Sequence, residues 1–111
     1  MDPTTSSDES LMVSYAHGDM ASFELLYRRH KDSLYRYVVR HIRDNQLAQD
    51  IYQEVWGAII NAAPNYKVNA KWTTWAYRIA HNRVADHFRR FKVVEPYEES
   101  ELEARMRSVN G

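Results

Sequence analysis

The sequence predicts an all-α fold, a small bundle of about four helices. Apolar residues recur at three- and four-residue spacing along most of the chain, which is the period of an amphipathic helix, and no stretch alternates as a strand does. Capping residues, glycine and proline separate these stretches. The 111 residues suffice for one core but fall short of two domains. Because the chain has no cysteine, its stability must come from packing.

The first two helices are predicted from their ends. Ser6 and Glu9 have the spacing of a capping box, and Gly18 can end a short first helix in the left-handed conformation. Asp19 can then cap a long second helix. Its apolar positions recur at helical spacing and are Phe23, Leu26, Tyr27, Leu34, Val38 and Ile42.

The third and fourth helices flank a polar loop. The third is predicted from about Gln46 to Ala63, and Pro64 makes its continuation costly. The segment 64–71 is predicted to be an ordered binding loop. The fourth helix has an apolar face of Trp72, Trp75, Ala76, Ile79, Ala80 and Val84. Residues 1–92 are therefore assigned to one helical domain, and residues 93–111 to an acidic linker or tail.

The distribution of charge predicts a nucleic-acid surface. The chain is neutral overall, but residues 67–92 carry a single acid, Asp86, against seven bases. Such a cluster attracts a polyanion. The bases are Lys67, Lys71, Arg78, Arg83, Arg89, Arg90 and Lys92. Two acidic blocks, 44–54 and 95–103, could instead meet a basic protein or simply be solvated.

One stripe of the fourth helix combines the side chains that contact nucleic acid. A helical wheel places Arg78, Asn82, Ala85 and Arg89 together, away from the tryptophans. Arginine neutralises phosphates and asparagine can read a base edge. Aromatic rings beside such cations suit unpaired bases. Trp75 is assigned to the core, Trp72 is left open between core and ligand, and Tyr66 is as suited to stacking as to packing.

The third helix carries an acceptor patch that predicts a basic protein partner. Asp50, Gln53 and Glu54 share a face turned away from the apolar positions. No phosphate loop, nucleophile or second acidic cluster accompanies them, which argues against an enzyme. The five histidines lack metal-binding spacing, so no metal or cofactor is expected. Trp56, near Gln53 on the wheel, is assigned to packing.

Three segments together resemble a known family. DIYQEVW at 50–56 and WTTWAYRIAHNRVADHFRR at 72–90 are similar to the second conserved region of extracytoplasmic-function (ECF) bacterial sigma factors. GDMASFELLYRRH at 18–30 resembles the preceding helix of the same domain. The resemblance covers about residues 8–92. It implies an all-helical domain that binds RNA polymerase core and recognises and melts the promoter minus-ten element.

The resemblance also implies roles for individual residues. In the family the DxxQE face docks on the coiled coil of the polymerase β′ clamp, and it maps onto Asp50, Gln53 and Glu54. The loop and last helix capture an extruded non-template base, a role that maps onto Tyr66, Lys71, Trp72 and Asn82. Cations that would hold the DNA backbone or the duplex edge are Arg78, Arg83, Arg89 and Arg90.

Two other functions remain as alternatives, a protein-interaction module bound by an anti-sigma factor and a hydrolase acting on nucleic acid. Family members continue into a second domain that reads the minus-thirty-five element, whereas this sequence stops at Gly111, as a fragment or as a natural short form. Promoter recognition by this chain alone is therefore expected to be weak. No apolar run approaches the roughly 20 residues that span a bilayer, and a cytoplasmic protein is predicted.

Overall fold

The computed structural model describes residues 5–94, with side chains to residue 90. Its helices are α1 (Asp8–Ala16), α2 (Met20–His41), α3 (Asn45–Ala62) and α4 (Trp72–Val94), and a 3-10 turn spans Ala63–Asn65. Over that range the chain contains no strand, which confirms the predicted four-helix, all-α fold. The predicted acidic linker or tail lies outside the described residues, apart from the last two residues of α4.

The first helix begins one residue later than the capping box predicts. The N-cap of α1 is Ser7, whose hydroxyl accepts a hydrogen bond from the Ser10 N–H at 3.1 Å. The predicted Ser6 and Glu9 box is therefore wrong. The Glu9 carboxylate is used elsewhere, because its Oε2 accepts a 2.6 Å hydrogen bond from the backbone N–H of Trp72.

The other helix ends follow the sequence closely. Gly18 has a φ of +106°, a conformation that favours glycine, and it separates α1 from α2 as predicted. Asp19 caps α2 by accepting from the Ala21 N–H at 3.1 Å. Asp44 caps α3 by accepting from the Leu47 N–H at 3.0 Å. Each acid satisfies an N–H that has no partner inside its helix.

Helix α2 is the central element, because α3 and α4 both pack along it. Helix α3 runs antiparallel to it, with the Tyr52 hydroxyl donating to the Lys31 carbonyl at 2.9 Å. Helix α4 runs in the same direction as α2, since the rings of His30 and Trp72 lie 4.7 Å apart and those of Tyr37 and Tyr77, further along both helices, lie 5.4 Å apart. The shared core contains the buried residues Leu26, Leu34, Val38, Ile51, Val55, Ile59, Trp72, Ala76, Ala80 and Val84.

An aromatic cluster joins α1, α2 and α3. The Trp56 ring, 6% exposed, meets Phe23 edge-on at 5.8 Å and Tyr27 at 5.0 Å. Tyr15 of α1 contacts the other side of Phe23 at 4.8 Å. This arrangement confirms that Trp56 is a packing residue. It also fixes the orientation of α3 and thereby the direction in which its polar face points.

Within residues 5–94, none of the helices combines the length and the apolar character needed to cross a membrane.

Candidate nucleic-acid interface

The loop between the 3-10 turn and α4 begins at a packed tyrosine. Tyr66 is half-buried, and its ring lies edge-on to Trp75 with centroids 5.0 Å apart. Burial raises the pKa of Tyr66, and the negative charges of Glu9 and Asp8 raise it further. The hydroxyl is enclosed and has no hydrogen-bond partner among the described residues. This geometry favours packing over base stacking for Tyr66.

The structure places both tryptophans at the start of α4 against the core, including Trp72, whose role the sequence left open. Trp72 is 0% exposed and belongs to the core, whereas Trp75 is half-buried at the base of the loop. A ring without exposed surface cannot stack on a base, so the predicted DNA contact of Trp72 is wrong in this structure. The wheel placed Trp72 on the apolar face of α4, as observed. The DNA contact was implied by the family resemblance.

The predicted polar stripe of α4 is exposed and faces away from the core. Arg78, Asn82 and Arg89 are exposed, and Ala85 is half-buried between them. We call these four residues the strand face. The opposite side of the helix carries Ala76, Ala80 and Val84, all buried. Arg89 also pairs with Asp86 one turn earlier, which lowers the net charge at the far end of this face.

Two lysines extend this surface into the loop. Lys67 and Lys71 are both exposed and lie at the N-terminal end of α4. Asn82 lies two turns beyond Trp75, about 10 Å further along the helix axis. The capture of one base by the loop and Asn82 together stays a prediction. They could contact successive nucleotides of one strand.

Two other cations of α4, Arg83 and Arg90, lie close to α3 instead. Nη1 of Arg83 lies 3.8 Å from Oε1 of Glu54, and Nη2 of Arg90 lies 3.9 Å from the same oxygen. The predicted cation cluster is thus divided between two sides of the helix. Arg78 and Arg89 lie on the strand face, while Arg83 and Arg90 flank the third helix. Sequence periodicity places these residues on the helix but does not reveal the acid that faces them.

The acceptor patch of α3 is present as a surface. Asp50, Gln53 and Glu54 are all exposed on one side of the helix, opposite the buried Ile51 and Val55. We call these three exposed residues the acidic face. Because Glu54 also contacts Arg83, the acidic face adjoins α4. In the part of the chain that the structure describes, no three potential ligands converge as a metal site.

Sequence reasoning missed one residue of this region, Glu9. It was assigned to the cap of its own helix, but its carboxylate binds the first backbone N–H of α4. The sequence signal that could have pointed to Glu9 is indirect: the first turn of α4 contains no acidic residue of its own. The first N–H groups of a helix have no partner inside it, so their acceptor comes from another part of the protein or from water.

A comparison with protein families places this geometry in a known context. The chain matches the Sigma-70 region 2 family over residues 26–92, which is more than half of its length. The chain belongs to this family, as the resemblance of its motifs implied.

Bacterial sigma factors are among its relatives. RNA polymerase sigma-H factor of Pseudomonas aeruginosa is 32% identical over 84 residues, covering 76% of this chain and 44% of that protein. ECF RNA polymerase sigma factor SigM of Mycobacterium tuberculosis is 30% identical over 86 residues, covering 78% of this chain and 44% of that protein. The chain thus spans less than half the length of these relatives.

A solved structure has the same fold. The NMR structure of an engineered region 2 of sigmaE in complex with GTAAAA superimposes with a TM-score of 0.68 at 26% identity. The match covers 85% of this chain and 94% of that chain.

Proposed function

We propose that this chain is the promoter-recognition domain of an ECF sigma factor. It would bind RNA polymerase core and stabilise the melted minus-ten element by holding non-template single-stranded bases. The observation that carries the proposal is the strand face, an exposed row of Arg78, Asn82 and Arg89 on the side of α4 opposite the core. Family membership and the GTAAAA complex of the sigmaE domain support it.

The strand face has the chemistry that an unpaired strand requires. The guanidinium groups of Arg78 and Arg89 would neutralise phosphates, and the Asn82 amide between them offers both a donor and an acceptor to a base edge. Lys67 and Lys71 would contact the backbone at the loop. Binding of the displaced strand would offset the few kcal/mol needed to unstack a base, so no covalent chemistry is involved.

The acidic face is the proposed contact with the polymerase. Asp50, Gln53 and Glu54 present two carboxylates and an amide to solvent from a rigid, well-packed helix. Such a face suits the basic surface of another protein, which we assign to the β′ clamp coiled coil. Because the acidic and strand faces lie on different helices, one domain could hold polymerase and DNA at once. The protein would then act in the bacterial cytoplasm.

Binding to fluorescent single-stranded hexamers tests the DNA part of the proposal. Wild type is compared with Asn82→Ala across hexamers that tile all sequences, at low and moderate salt. Asn61→Ala, which removes another exposed amide at the end of α3, is the matched control. Sequence-dependent affinity that falls in Asn82→Ala alone supports the proposal. Sequence-blind binding that disappears at moderate salt would leave a simple basic surface and overturn it.

Exposed apolar side chains favour a second function, binding of a protein such as an anti-sigma factor. Met20 is 61% exposed, and Tyr27 and Ile60 also expose large apolar surface beside Trp56. These side chains lie on α2 and α3, away from the strand face. Binding of a protein partner would support this function if its affinity is unchanged by DNA and falls in the Tyr27→Ser variant.

A further inference from the structure

The C-terminal end of the binding loop is hydrogen-bonded to a carboxylate of α1, and the N-terminal end lies close enough to feel its charge. At the C-terminal end, the Trp72 N–H donates to Glu9 Oε2 at 2.6 Å, across 63 positions of sequence. At the N-terminal end, the enclosed hydroxyl of Tyr66 lies within the field of the same carboxylate, since the charge of Glu9 contributes to the raised pKa of Tyr66. Glu9 therefore lies at the base of the loop.

Helix α1 also lies beside the middle of the loop. A groove of about 350 Å³ separates them, and it is lined by Ser7, Glu9, Ser10, Val13, Ser14 and Val68. Val68 is the loop side of this groove and is 60% exposed. The position of α1 therefore determines how the middle of the loop is supported as well as where its ends lie.

Two features make Glu9 a firm anchor. The first N–H groups of a helix lack internal partners, and a carboxylate there also interacts favourably with the helix dipole. The neighbouring Asp8 fixes α1 to α2, because its two carboxylate oxygens lie 3.0 Å from Arg29 Nη1 and 2.9 Å from His30 Nε2. A shift of α1 would therefore break contacts with both α2 and α4.

We infer that Glu9 is a positioning residue for the loop, holding its ends in the conformation that reads an unpaired base without itself contacting DNA. The inference rests on the proposed function. It adds a contribution from α1, which precedes the residues 26–92 that match the Sigma-70 region 2 family.

Selective binding of single-stranded DNA by Glu9 variants tests the inference. The quantity measured is the ratio of affinities for the best hexamer and for its scrambled sequence. Glu9→Ala should lower this ratio about five-fold, as expected when a helix cap is lost. Glu9→Gln keeps an acceptor oxygen and should retain most of the selectivity. Ser14→Ala, on the same groove, is the matched control and should behave as wild type.

Two NMR measurements detect the anchor without DNA. In Glu9→Ala the Trp72 amide should lose its hydrogen-bonded chemical shift and exchange faster with solvent. In both Glu9→Ala and Glu9→Gln the pKa of Tyr66 should fall, because a neighbouring negative charge disfavours the phenolate and its removal relieves this effect. The pKa of Tyr66 reports only how close the Glu9 charge lies. The selectivity ratio is the readout that a merely structural role of Glu9 would not move in a folded variant.

The outcomes separate this inference from the proposed function. If the wild-type protein shows no sequence selectivity, the proposed function itself is overturned. The inference alone is overturned if the wild-type protein is selective and the Glu9→Ala variant is equally selective, although its Trp72 amide has lost the hydrogen bond. If Glu9→Ala does not fold, Glu9→Asp replaces it, since the shorter side chain keeps the charge but cannot reach Trp72 from the same backbone position. Unchanged selectivity in that variant, with the amide freed, again overturns the inference.

Discussion

The carboxylate of Glu54 on α3 lies 3.8 Å from the guanidinium of Arg83 on α4, so the acidic face contacts an arginine of α4 that lies outside the strand face. Arg90 lies 3.9 Å from the same oxygen. At these distances the pairs are partly exposed ion pairs, which contribute little to stability. Their main effect is electrostatic. When no partner is bound to the acidic face, the negative charge of Glu54 reduces the positive potential of α4.

Replacing Glu54 by glutamine should strengthen binding to single-stranded DNA. The substitution removes a negative charge beside two arginines, and we expect affinity at low salt to rise about two-fold, the scale of an exposed ion pair. Fluorescence anisotropy with one labelled hexamer measures it. Asp50→Asn makes the same charge change one turn earlier on α3 and serves as the control. An equal rise in both variants would show that net charge, and not the contact with Arg83, is responsible.

The two faces should be separable by mutation. Asn82→Ala should reduce discrimination between promoter sequences about ten-fold, within the range of a lost base contact, and leave polymerase binding unchanged. Glu54→Lys should weaken polymerase binding and leave discrimination between promoter sequences unchanged, because it replaces a negative charge on the acidic face by a positive one. Both are measured by pull-down with core polymerase and by hexamer binding. Equal loss of both functions in either folded variant would contradict the division into two faces.

The salt dependence of binding should report the phosphate contacts. Removing one phosphate contact lowers the slope of log affinity against log salt by about 0.7 for a single strand. We expect this change in Arg78→Ala, together with weaker binding to every hexamer alike. Arg40→Ala removes an exposed arginine of α2 and is the control. A slope that stays the same in Arg78→Ala would place the strand elsewhere on the protein.

The stability of the fold should depend on Tyr52 at alkaline pH. Burial raises the pKa of Tyr52 to about 12, whereas an unfolded tyrosine ionises near 10. Below about pH 10 both states hold the proton. At pH values between those two pKa values, the unfolded state has lost the proton of Tyr52 while the folded state still holds it. The free energy of unfolding therefore falls as pH rises.

Replacing Tyr52 by phenylalanine checks this pH dependence. The variant should lose about 1 kcal/mol at neutral pH with its hydrogen bond to the Lys31 carbonyl. Its stability should then fall less steeply above pH 10, measured by urea unfolding. Tyr35→Phe, on the ring that packs against Tyr52, is the control. Identical alkaline slopes in wild type and Tyr52→Phe would contradict the assignment.

Local sequence signals predicted the elements of the fold but not the contacts between them. The helix-breaking Gly18, the cap at Asp19 and the spacing of Ile51 and Val55 are properties of neighbouring residues, and each matches the structure. The exposed strand face of α4 also follows from helical periodicity alone.

Apart from the one-residue shift of the α1 cap to Ser7, the differences between sequence and structure involve residues far apart along the chain. Glu9 caps α4 instead of α1, and Trp72 is covered by elements other than its own helix. Arg83 faces an acid on α3. Periodicity gives the direction of a side chain around its own helix axis, but the identity of its neighbour depends on how the helices are docked.

The long-range bond between Glu9 and Trp72 has a consequence for folding. An isolated helix as short as the nine residues of α1 is marginal in water. During synthesis its partner on α4 emerges only after most of the domain. Contacts between residues so distant in sequence are slow to form, because the intervening chain must first be ordered. The loop would thus reach its DNA-reading conformation among the last events of folding, so that an incomplete chain still on the ribosome would not engage promoter DNA.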